Sequence, residues 1–171
     1  GNFDAIPDGV TNTLVLNISE PSDGTLGQKN QVTVNLFRFC PSDLVAEFDW
    51  TATNYFFQGG AVAGESSGSD AFVAAEEAGL YEIAGGFWDF GAYCIFYGDC
   101  SGGAEGLQLK EVCSKLSLIG TDQYGDSWDI SNVTASGATL SFTYLSGYGE
   151  QADVTLTRTD GGEWPSTLFA D

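Results

Sequence analysis

Short runs of alternating apolar and polar residues constrain this chain more than any other feature. "ATLSFTYL" (138–145) and "ADVTLTR" (152–158) put every second residue on one face. That period of two marks a strand with one buried side, because successive strand side chains point to opposite faces. "TLVLNIS" (13–19), "QVTVNLFRF" (31–39) and "KLSLIG" (115–120) repeat the pattern, and "EFDWTAT" (47–53), "GLYEIAG" (79–85) and "GAYCIFY" (91–97) follow it less strictly. Connections such as "SDGTLGQKN" (22–30) and "TASGA" (134–138) are built from turn residues. Strands and helices do not alternate, so the expected architecture is all-β, an antiparallel barrel or sandwich of about eight strands. At most one short helix is expected, over "SDAFVAAEEAG" (69–79), with Ser69 as N-cap and Gly79 as stop; an irregular strand is the alternative there. "GGAVAGESSG" (59–68) reads as a mobile loop.

Organisation breaks near "FRFCPSDL" (37–44). Residues 1–39 supply two strands, fewer than an independent sheet needs. They are expected to be the tail of a preceding module, which the resemblance given below makes immunoglobulin-like, or an added hairpin, with 40–171 forming the β domain.

Charge narrows the partners. Twenty-four acids face five bases, a net charge of -19, and there is no histidine. Such a polyanion repels nucleic acid and anionic membranes. Without histidine, neither a Ser-His-Asp nor a Cys-His nucleophile exists. Glu76, Glu77, Glu82, Asp122, Asp126 and Asp129 have the chemistry for glycoside hydrolysis, but 24 acids guarantee chance pairs, so no enzyme is expected. The four cysteines, Cys40, Cys94, Cys100 and Cys113, contain no CxxC pair. Their even number favours two disulfides and an oxidising compartment. Of three possible pairings the preferred one is Cys94–Cys100, clipping "CIFYGDC", with Cys40–Cys113 joining distant segments. No segment reads as a membrane span, and a monomer is expected.

Three aromatic-glycine-acid triplets recur at Tyr97-Gly98-Asp99, Tyr124-Gly125-Asp126 and Tyr148-Gly149-Glu150. Each follows an apolar run, which makes the glycine a chain-reversal residue first and puts the tyrosine and the acid at a loop tip. If some of those tips share one end of a barrel, they can cooperate. "DQYGDSWD" spaces Asp122, Asp126 and Asp129 as an oxygen-rich loop able to hold calcium, although not in the EF-hand pattern. The alternative is a hairpin turn with its aspartates in water. "GGFWDFGAYCIFYGD" (85–99) crowds more rings than one strand face hides. Exposed rings beside carboxylates suit sugars, whose C–H faces stack while their hydroxyls take the acids. Trp88, Tyr97, Tyr124, Trp128 and Tyr148 are the candidate ligand-binding residues.

"CPSDL" (40–44), "GLYEIAG", "EVC" (111–113), "DQYGDSWDI", "SGYGEQADVTLTR" and "DGGEWP" (160–165) together resemble a C-terminal β domain of surface and secreted lipoproteins of Bacteroidota. The resemblance covers residues 40–165, and "VAEFDW" departs from the Gly-Thr-Tyr usual after the opening Leu. It implies a small antiparallel barrel or sandwich at the outer-membrane surface or outside the cell, sometimes encoded near glycan-uptake systems, and it brings no catalytic motif. The expected function is a non-catalytic binding module for carbohydrate, needing no cofactor beyond possible calcium. The alternative is a structural or protein-interaction module of a larger surface protein.

Overall fold

A computed structural model describes residues 11–17, 31–37, 44–56, 60–84, 90–100, 106–122 and 124–168. The chain divides into two units, Gly1–Pro41 and Ser42–Asp171. In the first, β1 (Thr11–Asn17) and β2 (Gln31–Phe37) pair antiparallel. Their register sets Leu14 opposite Val34 and Leu16 opposite Val32, so one face of the hairpin is aliphatic. The other face is mostly polar and carries the hydrogen bond from Thr13 Oγ1 to Asn35 Oδ1 (3.1 Å).

The second unit is the all-β domain. It contains β3 (Ala46–Phe56), β4 (Val62–Ala74), β5 (Leu80–Ile83), α1 (Ala92–Tyr97), β6 (Leu107–Val112), β7 (Lys115–Gly120), β8 (Asp129–Ser136), β9 (Thr139–Leu145), β10 (Glu150–Arg158) and β11 (Thr167–Leu168). The strands form one sheet in the order β11-β7-β6-β5-β4-β3-β10-β9-β8. All its pairings are antiparallel except the two-residue β11–β7 pair. The sheet curls almost into a barrel: Trp128 N–H donates to Gly120 O (2.9 Å) and Thr121 bridges Ser127, joining β7 to β8 at one end. Further along, these strands part around a cavity of about 280 Å3 lined by Leu116, Leu118, Ile130, Val133 and Leu168.

Alternation supplies the core. Ala46, Phe48, Trp50, Ala52 and Asn54 of β3 point inward, as do Leu140, Phe142 and Tyr144 of β9 and Ala152, Val154 and Leu156 of β10. Each fully buried aromatic or aliphatic side chain contributes ~1.5–3 kcal/mol by area.

Three stretches depart from the sequence expectation. Residues 69–79 hold no helix; they are the end of β4 and a turn. The pairing of Phe72 with Ala46 and Ile83 overrides the helix propensity of the Ala/Glu run. The expected mobile loop at 59–68 is mostly β4, whose glycines are there for clearance. A Cβ at Gly68 would lie 2.8 Å from the Trp50 ring, and one at Gly64 would lie 3.1 Å from Ile95. The helix falls instead at Ala92–Tyr97, within the expected strand "GAYCIFY". It is bounded by Gly91 and Gly98, both left-handed, and Gly98 N–H caps it by donating to Cys94 O (3.0 Å). Cys94 is bridged to Cys100, as expected. Cys113 is also disulfide-bonded; its expected partner, Cys40, lies outside the described residues.

Candidate functional site

The second and third triplets build the same five-residue loop twice. In Asp122–Asp126 the first residue donates its N–H to Asp126 O (2.9 Å) and accepts from Gly125 N–H (3.0 Å). In Ser146–Glu150 the corresponding distances are 2.8 and 3.1 Å. In both, the side-chain oxygen of the first residue accepts the N–H of the tyrosine two places on: Tyr124 N–H to Asp122 Oδ1 (2.9 Å) and Tyr148 N–H to Ser146 Oγ (3.2 Å). Short Asp and Ser side chains favour this local bond over regular structure, and it sets the tyrosine at the loop apex. Gly125 and Gly149 then turn the chain at φ 85° and 89°, conformations that a Cβ would strain. The first triplet is different: Gly98 (φ 73°) ends α1 and does not turn a hairpin.

All three tyrosines nevertheless meet at one end of the barrel. β7 leads into the first loop, β9 and β10 flank the second, and α1 packs against β4 and β10 there. The Tyr124 and Tyr148 rings lie 5.5 Å apart and are 67% and 51% exposed. Tyr97 is 51% exposed, packs on Tyr93 one helical turn earlier (4.7 Å), and hydrogen-bonds to the Glu150 carboxylate. Glu150, buried, also accepts from Ser146 Oγ.

Carboxylates underlie the rings. Asp122 is only 2% exposed; its Oδ1 takes the N–H groups of Tyr124 and Asp126 (2.9 Å each), while its Oδ2 has no hydrogen-bond partner among the described residues. Partial desolvation, then the charges of Asp122 and Asp126, raise the Tyr148 phenol above its ordinary value. Tyr97 is raised likewise, by desolvation first and then by its hydrogen bond to Glu150. In both, lost hydration disfavours the phenolate first, and the nearby carboxylates disfavour it further.

A buried polar pivot holds α1 in place. Asn54 Nδ2 donates to Ser66 Oγ (3.1 Å), and Ser66 Oγ donates to Phe90 O (2.6 Å). Phe90 adopts a left-handed conformation (φ 51°) and enters the core against Trp50, Phe142 and Tyr144. The chain thus reverses into the helix beside the barrel end.

The other candidate residues divide. Trp128 belongs to the core: it is 7% exposed, stacks on Tyr144 at 4.3 Å, and lies over Gly120, where any Cβ would strike its ring. Trp88 lies outside the described residues. Asp122 and Asp126 close one loop, but Asp129 opens β8 on the exposed side. Among the described residues no three acidic or thiol side chains group closely enough to hold a metal ion. Sequence reasoning missed Ser146; it had Glu150 only as the acid of the third triplet and Tyr93 only as one ring of the crowded stretch 85–99. The parallel first positions of "DQYGD" and "SGYGE" were the available signal, because Asp and Ser cap the same kind of turn. Among the described residues no helix is long and apolar enough to cross a membrane.

No family model, curated protein or solved structure matches this chain.

Proposed function

We propose that this protein is a non-catalytic module that binds carbohydrate through the tyrosine end of its barrel, at a cell surface or outside the cell. One observation carries the reading: Tyr124 and Tyr148, raised on twin loops, lie 5.5 Å apart and exposed above carboxylates. Rigid ring faces suit sugar C–H surfaces, while Asp126 and the rim hydroxyls suit sugar hydroxyls. Exposed apolar rings beside unpaired polar groups do little for stability, so a ligand is the better account of them. The Cys94–Cys100 disulfide supports an oxidising location. Resemblance to surface lipoprotein domains points the same way. The test is a broad glycan array followed by titration calorimetry of the hits. Wild type is expected to bind and Tyr124→Ala and Tyr148→Ala to lose binding; an empty array, or hits that survive both substitutions, would reject the reading.

A protein-interaction role is the second reading, and the aliphatic face of β1 and β2 favours it. Leu14, Leu16 and Val32 on that face are exposed. Calcium at Asp122 and Asp126 is compatible with either. It predicts a melting temperature that rises with calcium, and one unchanged by chelator would remove it.

A further inference from the structure

Among the described residues the tyrosine end holds acid without base. Asp122 and Glu150 are buried, and Asp126 shares the loop of Asp122. The described cationic side chains are elsewhere: Lys110 Nζ reaches Glu77 (3.0 Å), Lys115 opens β7 at its far end, and Arg158 grips Asp160 (2.7 Å). Glu150 has donors in Ser146 and Tyr97. Among the described residues Asp122 has donors for Oδ1 alone, and its buried Oδ2 has no hydrogen-bond partner. A buried carboxylate oxygen without a donor is costly, and a cation brought against it offsets that cost.

The surroundings discriminate among cations. A calcium ion needs six to eight oxygens at 2.3–2.6 Å, and among the described residues no three acids group to begin such a shell. Tyrosine faces, by contrast, are plentiful: Tyr124 with Tyr148 and Tyr93 with Tyr97 form two pairs at this end. Ring faces attract ammonium through their quadrupole, most strongly where water is partly excluded. Rings around a carboxylate suit an organic ammonium better than a bare ion.

We infer that the ligand is a glycan bearing free amino groups, its sugar rings on Tyr124 and Tyr148 and its ammonium against Asp122 and Asp126. This inference rests on the carbohydrate reading and adds a charge requirement to it. A neutral sugar leaves the Asp122 Oδ2 as it is, whereas an amino sugar supplies the missing donor and the missing charge together.

Titration calorimetry on the full chain tests it with three probes: a glucosamine oligomer, the same oligomer fully N-acetylated, and a lysine-rich peptide of equal charge. The free-amine oligomer is expected to bind about tenfold or more tighter than the acetylated one, the value of one charge-assisted hydrogen bond. Asp122→Asn, which keeps Oδ1, and Tyr148→Ala, at an exposed apex, are each expected to erase that preference. Glu82→Gln, at an exposed site on β5, is expected to leave it intact. Equal binding of both oligomers overturns the ammonium requirement and leaves the carbohydrate reading standing. Peptide binding as tight as the amine oligomer overturns the glycan assignment. A preference that survives both site variants overturns the site, since it would report only attraction to a chain of net charge -19. No binding by any probe overturns the inference, and the carbohydrate reading then rests on the glycan array alone.

Discussion

The two ends of the barrel solve the same problem, chain reversal beside a core, in opposite ways. At the far end Arg158 donates from Nε and Nη2 to the two oxygens of Asp160 (2.9 and 2.7 Å), from Nη1 to Glu163 O (3.1 Å) and from Nη2 to Val45 O (3.2 Å). Its guanidinium lies 5.4 Å from the Trp164 ring, and Trp164 Nε1 donates to Ala138 O (2.8 Å). Asp160 also takes the N–H groups of Gly162 and Glu47. Charge, ring and backbone all find partners there. At the tyrosine end the rings stand in solvent and a buried aspartate oxygen lacks a donor. The contrast separates the part of the molecule that closes the fold from the part free to serve something else.

That contrast breaks first at Trp164. Trp164→Ala is expected to cost ~3–5 kcal/mol in urea denaturation, as buried indoles do, whereas Tyr124→Ala should stay within about 0.5 kcal/mol. Equal losses would mean the tyrosine end is structural too. Next, Cys94→Ser with Cys100→Ser should lower stability by ~2 kcal/mol through loop entropy, read from the same denaturation curves. Asp122→Ala, which strands two backbone donors, should cost about 1–3 kcal/mol, with Asp122→Asn much milder. If the two substitutions cost the same, the Oδ1 contacts do not hold the loop.

Acidity sharpens the comparison further. Arg158, then the Gly162 N–H, holds the Asp160 carboxyl well below its ordinary value. A depressed folded value gives stability that is present above the unfolded value of about 3.9 and lost as pH falls through the folded one. The stability gap between wild type and Asp160→Asn should therefore be constant near neutrality and shrink below about pH 4. A gap that persists in acid would mean the ion pair is not formed in solution. The smallest effect is at the other end. Tyr97 and Tyr148 carry raised values, so their contribution is present below the ordinary phenol value of about 10 and is lost as pH rises through the folded values. Phenolate absorbance should show Tyr97 and Tyr148 ionising late, with Tyr148 moving earlier in Asp122→Asn.

Strand alternation made much of this legible. The runs at 138–145 and 152–158 became β9 and β10 almost residue for residue, because one face of each is core. Periodicity failed where a partner outside the segment decided the outcome. Gly64 and Gly68 looked like loop residues, yet they mark where Ile95 and Trp50 lie against a strand. "AYCIFY" is apolar at nearly every position, so its period could not separate strand from helix, and the flanking glycines and the disulfide decided it. β6 and β8 were missed: "LQLKEV" is short, and "DISNVTAS" breaks its alternation at the bulge between Ser131 and Thr134. Trp128 looked like a rim residue from its neighbours, and only Gly120, eight positions earlier, makes the space that buries it. The convergence of Tyr97, Tyr124 and Tyr148 depended on topology, which spacing along the chain does not encode.

The incomplete closure between β7 and β8 gives the barrel a direction in which to open. Hydrogen bonding joins these strands near Gly120 and Trp128, and the two residues of β11 cover only the start of β7. β8 therefore has β9 as its one continuous neighbour. Thermal fluctuation should peel β8 outward from the cavity like a hinged stave, with its amides exchanging with solvent sooner than those of β3 or β10. The loop that carries Tyr124 lies at the joined end of that seam, so a ligand bridging Tyr124 and Tyr148 would act as a latch across it, slowing exchange along a strand it never touches.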